Sequence, residues 1–187
     1  DRIRDSFDHR DLENLVSGIR DLTHIRVKFI NEILSEIHEY VKSHDARLSV
    51  AIFPPSLSKL VGQGYRSLAR YLDELQIMLY HRCSGAACLN HEIASLIRLL
   101  SNILCVRDLV RQAVNILLSI EIDLDIDLLG SRRVKHDILI NELRTIMDMK
   151  MSTQVIPILW YDNMLGRILC NIKEELPTID KLTIFIP

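Results

Sequence analysis

Three acids alternate through Ser119–Asp125, SIEIDLD: Glu121, Asp123 and Asp125. Side chains repeat every two residues along a strand, so an extended stretch turns all three to one face. Glycosidic hydrolysis needs such a set, with one carboxyl kept protonated by its surroundings and another ionised across the scissile bond. Asp162, in Trp160-Tyr161-Asp162, adds a further acid. The competing reading has Asp123 and Asp125 pairing with arginine or capping the loop Asp127–Ser131, because acids in clefts mark sites only statistically.

Polar and aromatic side chains gather at three other points: Phe53-Pro54-Pro55, Tyr80-His81-Arg82 and Trp160-Tyr161-Asp162. Carboxylates accept hydrogen bonds from hydroxyls and rings stack on the apolar face of a sugar. Phe53, Tyr80, His81, Arg82, Trp160, Tyr161 and Asp162 are therefore candidates for binding a polyhydroxylated ligand. Trp160 reads equally well as core. His81, Cys83, Cys88 and His91 are zinc-ligand types spaced H-x-C-x4-C-x2-H, enough for a tetrahedral site. That spacing lacks the C-x2-C knuckle, and buried thiols are the weightier reading. The chain has no dinucleotide fingerprint, Walker loop or nucleophile elbow, so no cofactor is expected. Gly62-Gln63-Gly64 reads as loop geometry rather than a phosphate cradle. No predicted strand ends in the inward lysine that a Schiff-base aldolase or lyase would need.

These groups must be carried by a scaffold, and the hydropathy pattern predicts one. Residues 8–44 read as two helices, the first with Leu12, Leu15, Val16 and Ile19. The second presents Ile25, Phe29, Ile33, Ile37 and Val41 as its apolar stripe, broadened by Leu34 and Tyr40. Strands are expected at Arg47–Phe53, Leu75–Tyr80, Ser119–Asp125, Gln154–Trp160 and Leu182–Ile186. Helices are expected at Tyr65–Leu72, Glu92–Leu104 (with Asn90 as its cap), Val106–Leu117, Val134–Met149 and Leu165–Leu176. Pro54 and Pro55 lack the amide donor of a ladder and should end the first strand in a loop.

Strands alternating with helices predict parallel pairing, hence an α/β fold: a parallel (β/α) barrel or partial barrel of about five strands with outer helices. Alternation turns Val50, Ile52, Leu75, Ile77 and Leu79 toward the helices, and Ser49, Ala51, Gln76, Met78 and Tyr80 inward. Five strands do not close the common eight-stranded barrel. The expectation is one (β/α) domain over 1–187, the C-terminal portion of a (β/α)8 barrel, with Asp1 in place of Met suggesting a trimmed chain. An open five-stranded sheet is the alternative.

Composition narrows the classes. The chain has 187 residues, 48% of them hydrophobic, and a formal net charge of −2. Near-neutral charge without a basic run argues against nucleic acid. No apolar run approaches bilayer-spanning length, and the charged start DRIRDSFDHR is unlike a signal peptide, so no membrane role is expected. Four scattered cysteines (Cys83, Cys88, Cys105, Cys170) suggest free thiols in a cytoplasmic protein.

The segment Arg47–His81 resembles a TIM-barrel glycoside-hydrolase-like family of archaea and bacteria. The resemblance rests on the strand ending FPP, the following SLSKLVGQGYRSLARYLDEL and the next strand ending MLYH. It places the EID of Glu121–Asp123 and the WYD of Trp160–Asp162 at later strand ends. The family's early strands are absent, and Gly64 stands where an acid would be expected before Tyr65. The resemblance implies acid–base hydrolysis of a glycosidic bond, with a carbohydrate ligand. The alternative is a non-catalytic partial barrel that associates with a copy of itself or a complementing chain through unpaired strand edges.

Overall fold

The structure, a computed structural model, describes residues 9–83, 85, 87–104, 107–119 and 134–186. In chain order its elements are α1 (His9–Ser43), β1 (Ser49–Ile52), α2 (Pro55–Val61), α3 (Tyr65–Leu68) and β2 (Glu74–Leu79). There follow α4 (Leu89–Leu104), α5 (Arg107–Leu118), α6 (His136–Met147), β3 (Gln154–Trp160), α7 (Leu165–Glu175) and β4 (Thr183–Phe185). The expected α/β class is present as a parallel sheet of four strands among the described residues, in the order β1-β2-β3-β4. Those strands form an open run rather than a closed barrel.

Strands added in one direction by right-handed crossovers carry their helices on a single face. Burial agrees. Leu75, Ile77 and Leu79 are 0% exposed in the core beneath the helices, while Ser49 and Ala51 on the opposite face are exposed. Ile146, Leu143 and Leu139 extend this core from α6, with Met149 just past its end, and Ile168 and Ile172 from α7. Pro157 sits inside β3 without breaking it. Tyr161 N–H donates toward β4, so the alternate position Pro157 faces the same side, where β4 begins only opposite Ile158. Among the described residues no strand stands opposite it to take the donor that proline lacks.

Several expectations are corrected. A strand at 119–125 would separate the 75–80 and 154–160 strands in a barrel of consecutive staves. Instead β2 pairs directly with β3 over six residues, from Glu74 opposite Gln154 to Leu79 opposite Leu159. Residues 120–125, with Glu121, Asp123 and Asp125, lie outside the described residues; Ser119 is a turn at φ +55°. Pro54-Pro55 does not open a loop: Pro55 is the first residue of α2, where its fixed φ suits a helix and its missing donor costs nothing. That helix closes on Gly62 at φ +78°, where any Cβ would collide with Arg26 of α1.

The two N-terminal helices are one, 35 residues long. Only Gly18 interrupts the pattern, and one glycine costs about 1 kcal/mol in a helix interior. The packed face also differs from the predicted one. Val16 and Leu34 are buried against the core, joined by Ile19 and Ile30, whereas Ile25, Phe29, Ile33, Ile37 and Tyr40 are exposed. The helix has two apolar stripes, and α2, α3 and α5 pack on the shorter-chained one.

Candidate functional site at the carboxyl ends of the strands

In parallel α/β sheets ligands bind beyond the carboxyl ends of the strands. Here that end carries a cluster of three rings on the face away from the helices. Trp160 and Phe185 are register partners, and their rings stack with centroids 5.2 Å apart and planes at 25°. Tyr80, one residue past β2, meets both, at 5.6 Å from Trp160 and 5.5 Å from Phe185. Strand periodicity explains the grouping, because Tyr80, Trp160 and Phe185 occupy corresponding positions on three adjacent strands. Burial raises the Tyr80 hydroxyl pKa, so the group stays a neutral donor and acceptor at physiological pH. Phe185 remains 43% exposed and the neighbouring Tyr161 56%, so ring surface is open to solvent.

The next residues in line form a polar pair. His81 is wholly buried, and its Nε2 lies 3.1 Å from Asp162 Oδ2. The other carboxylate oxygen of Asp162 accepts the Met164 N–H at 2.8 Å, which fixes the turn into α7. The His81 carbonyl accepts the Val134 N–H, and the Tyr80 carbonyl accepts the Leu89 N–H that opens α4. His81 and Asp162 thus join the loops after β2 and β3 directly beneath the aromatic cluster. Arg82 points outward and is exposed.

Phe53 has another role. Its ring packs against the core, its N–H donates to Gln63 Oε1 at 2.8 Å, and its carbonyl accepts the Tyr65 hydroxyl at 2.6 Å. The zinc reading is not supported. Cys83 and Cys88 form a disulfide, Cα–Cα 5.5 Å, which also corrects the expectation of free thiols. No group of three metal-ligating side chains gathers among the described residues. Asn90 is not the cap of α4, which begins at Leu89, but is buried inside it, its amide donating to the Cys83 carbonyl at 3.3 Å. Cys170 is a free, exposed thiol, and Cys105 lies outside the described residues.

A buried carboxyl on the helix side escaped the sequence reading. Glu142 of α6 is almost fully buried and its Oε2 accepts the Ser56 N–H at 3.0 Å, at the start of α2. Burial raises its pKa, opposed by the Ser56 hydrogen bonds and the nearby Lys59 charge. Burial, reinforced by the Glu142 charge, also pushes the Tyr65 hydroxyl far up. Both line a cavity of about 1230 Å³ between α1, α2, α3, α5 and α6. The only local signal was a polar residue on the apolar side of a predicted helix.

Among the described residues no helix is long and apolar enough to cross a membrane. No protein-family model matches the chain, and no curated protein or solved structure matches it either. The protein is defined by its own architecture: an α/β chain with a consecutive parallel sheet whose strand ends carry an aromatic and histidine–aspartate mouth.

Proposed function

We propose that this protein is carbohydrate-active, in the manner of the barrel glycoside hydrolases that Arg47–His81 resembles. A sugar ring stacks on the open part of the Tyr80–Trp160–Phe185 cluster, with hydroxyls bonded by the polar groups around it. The carboxylates of Glu121–Asp125 supply acid and base for cleavage. The observation that carries this reading is the partly open aromatic cluster at the carboxyl end of a parallel sheet. Amphipathic rings with one apolar face wet are suited to sugars.

Trp160 is the single tryptophan, so its fluorescence reports directly on the mouth. Titration with a panel of oligosaccharides is expected to change that emission, and Trp160→Ala to abolish the binding heat. Cleavage of an aryl glycoside is expected to disappear in Asp123→Asn with the far-ultraviolet spectrum unchanged. Neither emission change nor heat at millimolar sugar, on the scale of about 4 kcal/mol of binding free energy, would remove the reading.

A second reading is a partial barrel completed by another chain at its outer strands. It is favoured by β4, where Thr183, Ile184 and Phe185 are all exposed. Ile184→Lys would then shift the sedimentation coefficient without touching the sugar site.

A further inference from the structure

We propose that the protein self-associates through α1, two copies pairing antiparallel along an apolar stripe about a two-fold axis at the height of Asn31. The stripe is Leu22, Ile25, Phe29, Ile33, Ile37 and Tyr40, each between 40% and 68% exposed. At 3.6 residues per turn these positions share one face and span about 27 Å. That face is distinct from the one holding Val16 and Leu34 in the core. Six large apolar side chains in a continuous exposed row form the kind of surface that marks an interaction site.

The stripe itself selects a second copy as its occupant. Reversed about Asn31, it matches residue for residue: Leu22 falls opposite Tyr40, Ile25 opposite Ile37, and Phe29 opposite Ile33. The same reversal sets Arg26 opposite Glu36, both exposed. An isologous two-fold contact requires this self-complementarity. Charge selects the direction. Before Asn31, over 20–30, Arg20, Arg26 and Lys28 outweigh Asp21; after it, over 32–42, Glu32, Glu36 and Glu39 outweigh Lys42. Antiparallel copies set basic half against acidic half at both ends, whereas parallel copies would oppose like charges. The contact is independent of the sugar site, which lies at the strand ends.

Light scattering and sedimentation equilibrium on the full chain test it. The unmodified protein is expected to be a dimer at micromolar concentration, and Phe29→Glu with Ile33→Glu a monomer with an unchanged helical spectrum. Arg26→Glu or Glu36→Arg alone replaces two attractive pairs by two repulsive ones and is expected to weaken the dimer by about tenfold or more. Mixing these two single variants restores attraction at both pairs, so a heterodimer as tight as the unmodified dimer is expected. The Arg26 bond to the Leu60 carbonyl is internal to one chain, so its loss would not be rescued by mixing. A monomeric unmodified protein would overturn the proposal, as would a dimer indifferent to both charge variants or a mixture that fails to reassociate.

Discussion

His81 Nε2 stands 3.1 Å from Asp162 Oδ2 across a sequence separation of 81 residues. The pair links the loop after β2, which begins at Tyr80, to the loop after β3, which follows Trp160. Because Asp162 also receives the Met164 N–H, one carboxylate joins a strand end, a helix start and a buried imidazole. The mouth is therefore held by a polar contact beneath rings that can remain partly open.

That contact predicts graded losses. Asp162→Ala removes the imidazole's partner and the Met164 acceptor together, so a cost of about 2–4 kcal/mol is expected. Asp162→Asn keeps an acceptor for Met164 and a partner for the ring, and should cost roughly half as much. Urea unfolding at neutral pH measures both, and equal midpoints for Asp162→Ala and the parent would refute the bridging role.

Glu142 predicts an unusual pH profile. Burial raises its carboxyl pKa, so the fold favours the neutral form. The resulting stabilisation is complete below the unfolded-chain value, about 4.3, and is lost as pH rises through the elevated folded value. Glu142→Gln keeps an acceptor for the Ser56 N–H but cannot ionise. Its melting temperature should fall less than the parent's as pH rises above about 4. Parallel profiles would show that Glu142 titrates normally.

Asp73 predicts the opposite slope. The Leu48 N–H donates to its carboxylate at 2.8 Å, and with Lys42 nearby this lowers its pKa. The stabilisation is present above the unfolded-chain value and fades as pH falls through the depressed one. Asp73→Asn should be less stable than the parent at neutral pH and approach it under acid conditions. A stability gap that persists at low pH would point to packing rather than charge.

The two sheet faces should answer differently to truncation. Leu79→Ala removes a fully buried side chain from beneath the helices, with an expected cost of about 2–5 kcal/mol. Gln76→Ala, on the opposite face, loses a bond from Nε2 to Ser49 Oγ that is exposed, and should stay within about 0.5 kcal/mol. Comparable losses in chemical denaturation would mean that both faces are covered.

Local periodicity was enough for the four described strands and for the facing of β2. Leu75, Ile77 and Leu79 alternate with Gln76 and Met78, and that period alone separates the helix side from the open side. The strand expected at Gln154–Trp160 coincides with β3 at both ends. Tyr80 and Trp160 were readable as strand-end aromatics, though not as neighbours of Phe185.

What the amino-acid order by itself determined, then, is the α/β alternation, the parallel pairing it requires and the set of polar and aromatic residues at strand ends. Each is encoded within a few consecutive residues, where steric and periodic constraints act. The tertiary structure alone decided that β2 lies directly against β3, that Cys83 joins Cys88, that His81 meets Asp162 and that Glu142 is buried against Ser56. It also decided which of the two apolar stripes of α1 is packed. Both stripes satisfy the same helical period, and the choice is made by the shape of α2, α3 and α5 against it, through contacts that no local pattern contains.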